Sequence, residues 1–465
     1  MRTTPPTLLQ LAAQSLLENP ALAVSALEEL PCDLFPLLFL EALNRRHMEL
    51  LKAMVQAWPF PCLPLGPLLS RQDQEPLQMA LDGLDMLLAQ KDRPRRVQLQ
   101  TLDLRKTRHS FWNVGPGAVP ATSSPPPKRR RLASGMLHLG TRDKRPLVVI
   151  VEICFDPSFI KCPQQHLLQW ARERRGQVEL CCERLQIWDP CFCAAHEAQL
   201  HRLMDTLELG HVKVLEMNSP WNFNTLVKFS PFLGKMMNLQ KLLLSPIYES
   251  RNMKEHLIEL FVTQFSNLNF LQELYLNRVT FLQDYLHRIF RCLKTPLESL
   301  SITECQLSET DWMCLSLFPV THQLKYLSLR GVTLTTCWPG FLQSLLEKVA
   351  STLEILDLED CKMSDSLLTA LLPALSRCTQ LTKVCFYGSC ITMPVLKNLM
   401  LHTAQMSQLN EELYPFPLES YESSTGTIHS ERVSQHCGEL MNTLRDLRQP
   451  KRILFRGNRY RFWKP

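Results

Sequence analysis

"LQELYLN", residues 271–277, decides how this chain folds, because its spacing L-x-x-L-x-L returns along the sequence. Leu271, Leu274 and Leu276 are matched by "LQKLLL" (Leu239, Leu242, Leu244) and "LESLSITEC" (Leu297, Leu300, Ile302, Cys305). Further on come "LKYLSL" (Leu324, Leu327, Leu329) and "LEILDLEDC" (Leu353, Leu356, Leu358, Cys361). Weaker copies flank these: "CERLQI" (Cys182, Leu185, Ile187), "VKVLEMN" (Val212, Leu215, Met217) and "LTKVCF" (Leu381, Val384, Phe386). The copies begin at 182, 212, 239, 271, 297, 324, 353 and 381, so the spacing runs from 26 to 32 residues.

Two apolar residues one position apart point to the same face of a strand. The earlier leucine then covers the turn into it. Between the copies lie helical patterns such as "SDSLLTALLPALSRC", which starts with the capping residue Ser364 and repeats apolar residues at helical spacing. One parallel strand plus one helix at this period is the signature of an α/β leucine-rich-repeat solenoid, a horseshoe. In such a solenoid the strands line a concave face long enough to hold another protein, here of unidentified nature.

An early copy, "LQTLDL" (Leu99, Leu102, Leu104), and the apolar run "LVVIVEI" (Leu147–Ile153) place the start of the solenoid near residue 96. The repeat region is expected over 96–440, with a Pro/Ser-rich basic loop interrupting it at about 107–145. "LMNTLRDLRQPKRILF" reads as a last helix and strand, so 441–465 is expected to cap the end. Residues 1–95 lack the repeat and show helical apolar spacing broken by prolines, and a separate small helical module is expected there.

Composition narrows the function. Hydrophobic residues make up 45% and charged residues 21%, as in ordinary globular chains, and no apolar run nears the roughly 18 residues of a membrane span. The N-terminus lacks a small-residue cleavage pattern and is not read as a signal peptide. Seventeen Cys without a regular framework read as packed thiols rather than disulfides. Only 15 Gly occur, no G-x-x-x-x-G-K-[ST] or G-x-G-x-x-G is present, and a nucleotide-dependent enzyme is disfavoured. No G-x-S-x-G elbow or paired carboxylate spacing marks a catalytic centre, so no catalytic residue and no cofactor is expected.

Positive charge is concentrated. Residues 91–145 hold 14 Lys or Arg against 3 Asp or Glu, a local +11 within a total of +6, which leaves −5 for the rest. Lys128, Arg129, Arg130 and Arg131 follow three prolines on a stretch too poor in core residues to order itself, which suits a nuclear import receptor. The expected location is nucleus and cytoplasm. Ser134, three residues after Arg131, has the spacing of a basic-directed phosphorylation site. No aromatic residue interleaves with the basic run, so direct nucleic-acid binding is not expected.

"CFCAAHEAQLH" offers Cys191, Cys193, His196 and His201, but its C-x-C spacing and the five-residue step between the histidines fit neither a zinc finger nor a metalloprotease helix, and no metal is expected. Four L-x-x-L-L strings begin at Leu34, Leu84, Leu342 and Leu368; such strings dock on nuclear receptors, yet they also arise from core periodicity alone.

Two N-terminal motifs stand out. Thr7, Leu8, Ala12 and Leu16 fit the elongin-binding box, with Leu8, Ala12 and Leu16 forming one helical stripe that has a small residue in the middle. "LPCDLFPLL" fits the cullin box through Leu30, Pro31, Leu34 and Leu38.

The chain as a whole resembles the PRAME (preferentially expressed antigen in melanoma) family of leucine-rich-repeat proteins. The resemblance is carried by "ALEELPCDLFPLLFLEALNRR" from Ala26, "LKAMVQAWPFPCLPLG" from Leu51 and "LDGLDMLLAQKDRPRRVQLQTLDLR" from Leu81. Towards the C-terminus it is carried by "FLQSLLEKVASTLEILDLEDC" from Phe341, "LLPALSRCTQL" from Leu371 and "ELMNTLRDLRQPKRILF" from Glu439. It implies a non-catalytic substrate receptor of a ubiquitin ligase, with elongin B and C, cullin-2 and a RING subunit as partners. It also implies roles in transcriptional repression, proliferation and differentiation. A ligase-independent corepressor that binds nuclear receptors or chromatin factors is the alternative, and an F-box-like receptor using Leu30–Leu38 with another adaptor is a third.

Overall fold

The computed structural model describes residues 7–66, 75–90, 96–106, 112, 146–156, 163–188, 194–248, 254–334, 339–422, 427–447 and 451–457. These form two compact units, Met1–Arg184 with Cys193–Glu208, and Leu185–Phe192 with Leu209–Pro465.

The first unit opens with four helices, α1 (Leu8–Leu17), α2 (Pro20–Ala26), α3 (Leu34–Asn44) and α4 (Met48–Gln56). Strand β1 (Cys62–Pro64), helix α5 (Glu75–Ala89) and strands β2 (Thr101–Asp103) and β3 (Leu147–Phe155) follow. Helix α6 (Pro163–Glu173), strand β4 (Val178–Ile187) and helix α7 (Ala194–Thr206) come next in the chain. β1 pairs in parallel with β2 and β2 with β3, so the first 95 residues are not wholly helical as their spacing suggested. The reason lies in "PFPCLP": Pro61 and Pro64 hold their neighbours extended, and extended backbone beside a free strand edge joins it. The core gathers on Trp58, which packs edge-on against Phe35 and Phe39 at centroid distances of 6.2 and 5.4 Å and donates its indole N–H to the Cys62 carbonyl at 3.0 Å.

In the second unit strands and helices alternate. β5 (Val214–Met217), β6 (Trp221–Asn222), α8 (Phe223–Leu233), β7 (Lys241–Leu244), β8 (Ile247–Tyr248), α9 (Glu255–Thr263) and β9 (Glu273–Asn277) come first. α10 (Leu286–Cys292), β10 (Ser299–Thr303), α11 (Glu309–Leu317), β11 (Tyr326–Ser328), α12 (Pro339–Val349) and β12 (Ile355–Asp357) continue the series. α13 (Asp365–Leu375), β13 (Lys383–Cys385), α14 (Met393–Thr403), β14 (Glu411–Pro415), α15 (Ser430–Leu447) and β15 (Arg452–Arg456) complete it. β5, β7 and β9 to β15 lie side by side in that order, every pair parallel, while β6 and β8 form a small ribbon of their own.

The repeat leucines explain this sheet. Leu274, Leu300, Leu327, Leu356 and Val384 occupy one register column, and none is more than 1% exposed. Each such side chain contributes roughly 1.5–3 kcal/mol by leaving water. The first leucines of the copies, Leu271, Leu297, Leu324 and Leu353, are fully buried at the turns into the strands. α13 begins as the sequence predicts, with the Ser364 hydroxyl accepting the Leu367 N–H at 3.4 Å.

A second periodic device holds neighbouring repeats together. Arg278, Glu304, Gly331, Asp360 and Gly388 all have positive φ, between 51° and 73°, at the corner where each chain segment leaves its strand. The Arg278, Glu304, Gly331 and Asp360 N–H groups donate to the Thr303, Arg330, Glu359 and Tyr387 carbonyls of the next repeat at 2.7–2.9 Å. The cysteine that ends two of the sequence copies sits beside this corner. The Cys361 thiol donates back to the Leu329 carbonyl at 3.0 Å, and Cys305 Sγ accepts the Val279 N–H at 3.4 Å.

Candidate functional site

α1 is built to present one face. Thr7 caps it, its hydroxyl accepting the Gln10 N–H at 3.3 Å while the Gln10 side chain accepts the Thr7 N–H at 2.8 Å, a complete capping box. Ala13 and Leu17 turn inward, and the helix packs on α3 and α2. Leu8 and Ala12 turn outward and Leu16 is half-buried, so three of the four residues of the first motif make one accessible stripe with Thr7 at its head. Leu8 is 86% exposed and Leu11 beside it 46%. On α2, opened by Asn19 and Pro20, Leu22 and Val24 are also exposed, at 56% and 39%. Four exposed apolar side chains on two short adjoining helices give this end of the unit a surface that a partner could cover.

The second motif is divided by the fold. Leu30 is half-buried and Pro31 exposed in the connection between α2 and α3, whereas Leu34 and Leu38 are buried inside the first unit. The i, i+4 spacing that makes Leu34 and Leu38 read as a docking stripe is also the spacing of a core-facing helix side, and α3 uses it for the core with Phe35, Phe39 and Ala42. As folded, only the front of this motif is presented.

The remaining sites read from the sequence are scattered. Lys128, Arg129, Arg130, Arg131 and Ser134 lie outside the described residues, as do Cys191 and Cys193. His201 is half-buried on α7. In the L-x-x-L-L strings, Leu342, Leu345 and Leu346 of α12 and Leu368, Leu371 and Leu372 of α13 are all buried, as are Leu34, Leu38, Leu84 and Leu87 in the other two. A helix-in-groove partner needs those leucines outward.

The outward side of the second unit's sheet carries paired charges and aromatic rings. Lys241 bonds Glu273 at 3.5 Å and stands over the Tyr275 ring at 4.7 Å, with the Tyr326 ring 6.2 Å beyond. Lys383 and Arg452 flank Glu411 at 3.0 and 3.3 Å, and Arg330 and Arg456 both bond Glu359 at 3.4 Å. Asp357, Glu359 and Cys385 lie within 4.8 Å of one another. Two guanidinium groups already occupy Glu359, and burial, reinforced by the Asp357 and Glu359 charges, pushes the Cys385 thiol up to about 12. With Glu359 held by Arg330 and Arg456, this trio reads as part of an ion-pair network. Burial likewise raises the Cys305 thiol to about 11 and Cys182 to about 12, the reverse of what an activated nucleophile needs.

Strands in one parallel series, joined by helices and locked at left-handed corners, define a parallel α/β repeat protein, compatible with a solenoid. Residues 5–112 match the PRAME N-terminal domain and residues 147–460 the PRAME C-terminal domain. The chain belongs to the PRAME family. It is 47% identical over 455 residues to PRAME family member 12 of Homo sapiens, covering 97% of this chain and 92% of that protein. PRAME family members 8 and 7 of Homo sapiens are each 44% identical over 458 residues, with 97% of this chain and 94% of theirs covered.

Proposed function

We propose that this chain is the substrate-recognition subunit of a cullin-RING ubiquitin ligase. Elongin B and C dock on the α1 stripe, cullin-2 with its RING subunit engages at Leu30 and Pro31, and the outward face of the repeat sheet holds a protein target. The observation that carries the reading is the exposure of Leu8, 86%, on a helix whose other side is packed. An apolar side chain so placed gains most from a partner's groove. Membership of the PRAME family supports it.

The chain itself catalyses nothing in this reading and needs no cofactor. It brings a target lysine close to a ubiquitin-loaded enzyme, and the rate gain is one of proximity. The sheet curves into the leucine-rich horseshoe with the target on its concave side. Lys128 to Arg131 direct import, so the chain works in nucleus and cytoplasm on a target that controls transcription, proliferation, differentiation or apoptosis. Phosphate on Ser134 would offset part of that charge and weaken import.

The corepressor alternative rests chiefly on the sheet face, because at least two leucines of each L-x-x-L-L string are buried, Leu37 and Leu88 being half-buried. Affinity capture from cells decides between them. Wild type is expected to retain elongins and cullin-2, and a Leu8→Ser, Pro31→Ala double variant to lose them; equal recovery of other nuclear partners with neither adaptor on either bait would favour the corepressor.

A further inference from the structure

We infer that Arg96 is the positioning residue of the cullin-docking segment; this rests on the ligase reading above. Arg96 comes 66 residues after Leu30, yet its guanidinium donates to the Leu30 carbonyl through Nη2 and to the Glu28 carbonyl through Nη1. The same Nη2 lies 3.6 Å from Cys32 Sγ, and the guanidinium carbon stands 5.9 Å from the centre of the Phe35 ring.

The need for such a clasp follows from the local backbone. α2 is only seven residues long, and the turns after it leave carbonyls without helical partners. The Glu29 and Leu30 N–H groups both return to Ala26, and the Leu34 and Phe35 N–H groups reach back to Pro31 and Cys32, which leaves Glu28 and Leu30 pointing their carbonyls away from either helix. Pro31 has no N–H to donate and is tied to the backbone through its carbonyl, which accepts from Leu34 at 3.1 Å. The α3 N-cap residue, Asp33, makes no side-chain capping bond, so the entry to α3 is held locally by the Leu34 and Phe35 N–H bonds without help from a cap.

Arg96 supplies what is missing from a distance. A planar fork can meet two carbonyls at once and lie against an aromatic ring, and a lysine ammonium has no such geometry. Arg96 has no carboxylate partner among the described residues, so its charge is engaged wholly by backbone dipoles, sulfur and ring. The side chain is half-buried and leaves Pro31 exposed and Leu30 half-exposed beside it. It therefore shapes the presented segment without covering it. α1 takes no part in the clasp, and the elongin-docking stripe should be indifferent to it.

The test uses the full chain co-expressed with elongin B, elongin C and cullin-2, comparing wild type with Arg96→Ala and Arg96→Lys. Both variants are expected to retain elongin within about twofold and to lose cullin-2 at least tenfold. Their amides from Glu29 to Phe35 should exchange with deuterium faster, while those of α4 stay as in wild type. Undiminished cullin-2 on Arg96→Ala, or unchanged exchange over Glu29–Phe35, would overturn the positioning role and leave the ligase reading intact. Cullin-2 absent from the wild-type capture would overturn the ligase reading and this role with it. If Arg96→Ala loses elongin as well, Arg96→Lys decides: cullin-2 restored to the wild-type level would show that charge alone suffices and overturn the fork.

Discussion

Gly388 and Asp360 stand at the same left-handed corner of adjacent repeats, so close that a Cβ on Gly388 would lie 2.8 Å from the Asp360 Cα. The φ of Gly388 is 73°, where a side chain is strained even in open space. Gly388→Ala should therefore destabilise the second unit by about 1–3 kcal/mol in urea titrations. Gly340, on α12 with nothing within 4 Å of a Cβ, is the control: Gly340→Ala should change little or stabilise slightly.

Leu8 and Leu38 are both leucines of docking motifs, and the fold gives them opposite fates. Leu8→Ser removes an exposed side chain and should leave stability within about 0.5 kcal/mol while abolishing elongin capture. Leu38→Ala opens a cavity in a fully buried site and should cost about 2–5 kcal/mol, seen as a lower thermal midpoint whether or not a partner is present.

Alkaline pH should unfold this protein. The Cys378 and Cys385 thiols are raised from 9.0 to about 12, burial being the main cause in each. A raised thiol value means the folded state keeps protons that the unfolded chain gives up. Their contribution to stability is complete below about pH 9 and is lost as pH climbs through 12. Thermal midpoints measured from pH 8 to 11 should fall progressively, and Cys378→Ala with Cys385→Ala should flatten the decline while lowering the starting value.

Tyr414 is fully buried, and its hydroxyl donates to Glu412 Oε2 at 2.7 Å, with Thr403 Oγ1 at 3.3 Å. Tyr414→Phe withdraws a donor from a buried carboxylate and should cost about 1–3 kcal/mol by chemical denaturation. Tyr248→Phe, at a ring 64% exposed, should be neutral in the same assay.

These same residues mark where the sequence stops being legible. The strands β9 to β13 could be read because leucine or valine fills the shared inward position of each, and the structure puts Leu274, Leu300, Leu327, Leu356 and Val384 in one buried column. β14 lies in register with them, but Glu412 takes the place held by Leu356 and Val384, and the repeat pattern is invisible there. Tyr414, two residues on, faces the same way and donates its hydroxyl to this carboxylate inside the core. Pattern reading sees apolarity, and a polar pair inside the core leaves no apolar trace. β1 was hidden for another reason, since Pro61 and Pro64 mark a break in a helix as readily as a strand.

The proposed docking surface was legible in the same uneven way. Thr7, Leu8, Ala12 and Leu16 announce a helix with a stripe, and a helix with that stripe outward is what forms. Leu34 and Leu38 show the same periodicity and face inward, because helical spacing names a face without saying what it meets. Arg96 carries no signal in spacing or pattern: the groups it donates to at closest range are the Glu28 and Leu30 carbonyls, and every residue has a carbonyl.

β15 has a further meaning for how the molecule behaves at high concentration. Its sequence is Arg-Ile-Leu-Phe-Arg, and among the described residues it is paired on one side only, with β14. A short apolar strand with a free edge is a template for another chain. Two copies meeting antiparallel about Leu454 would set Arg452 of one opposite Arg456 of the other, like charge against like at both ends of the contact. Each arginine is also paired with a carboxylate of its own sheet, Glu411 or Glu359, so replacing both with threonine should raise self-association by baring the strand edge as well as by removing the repulsion.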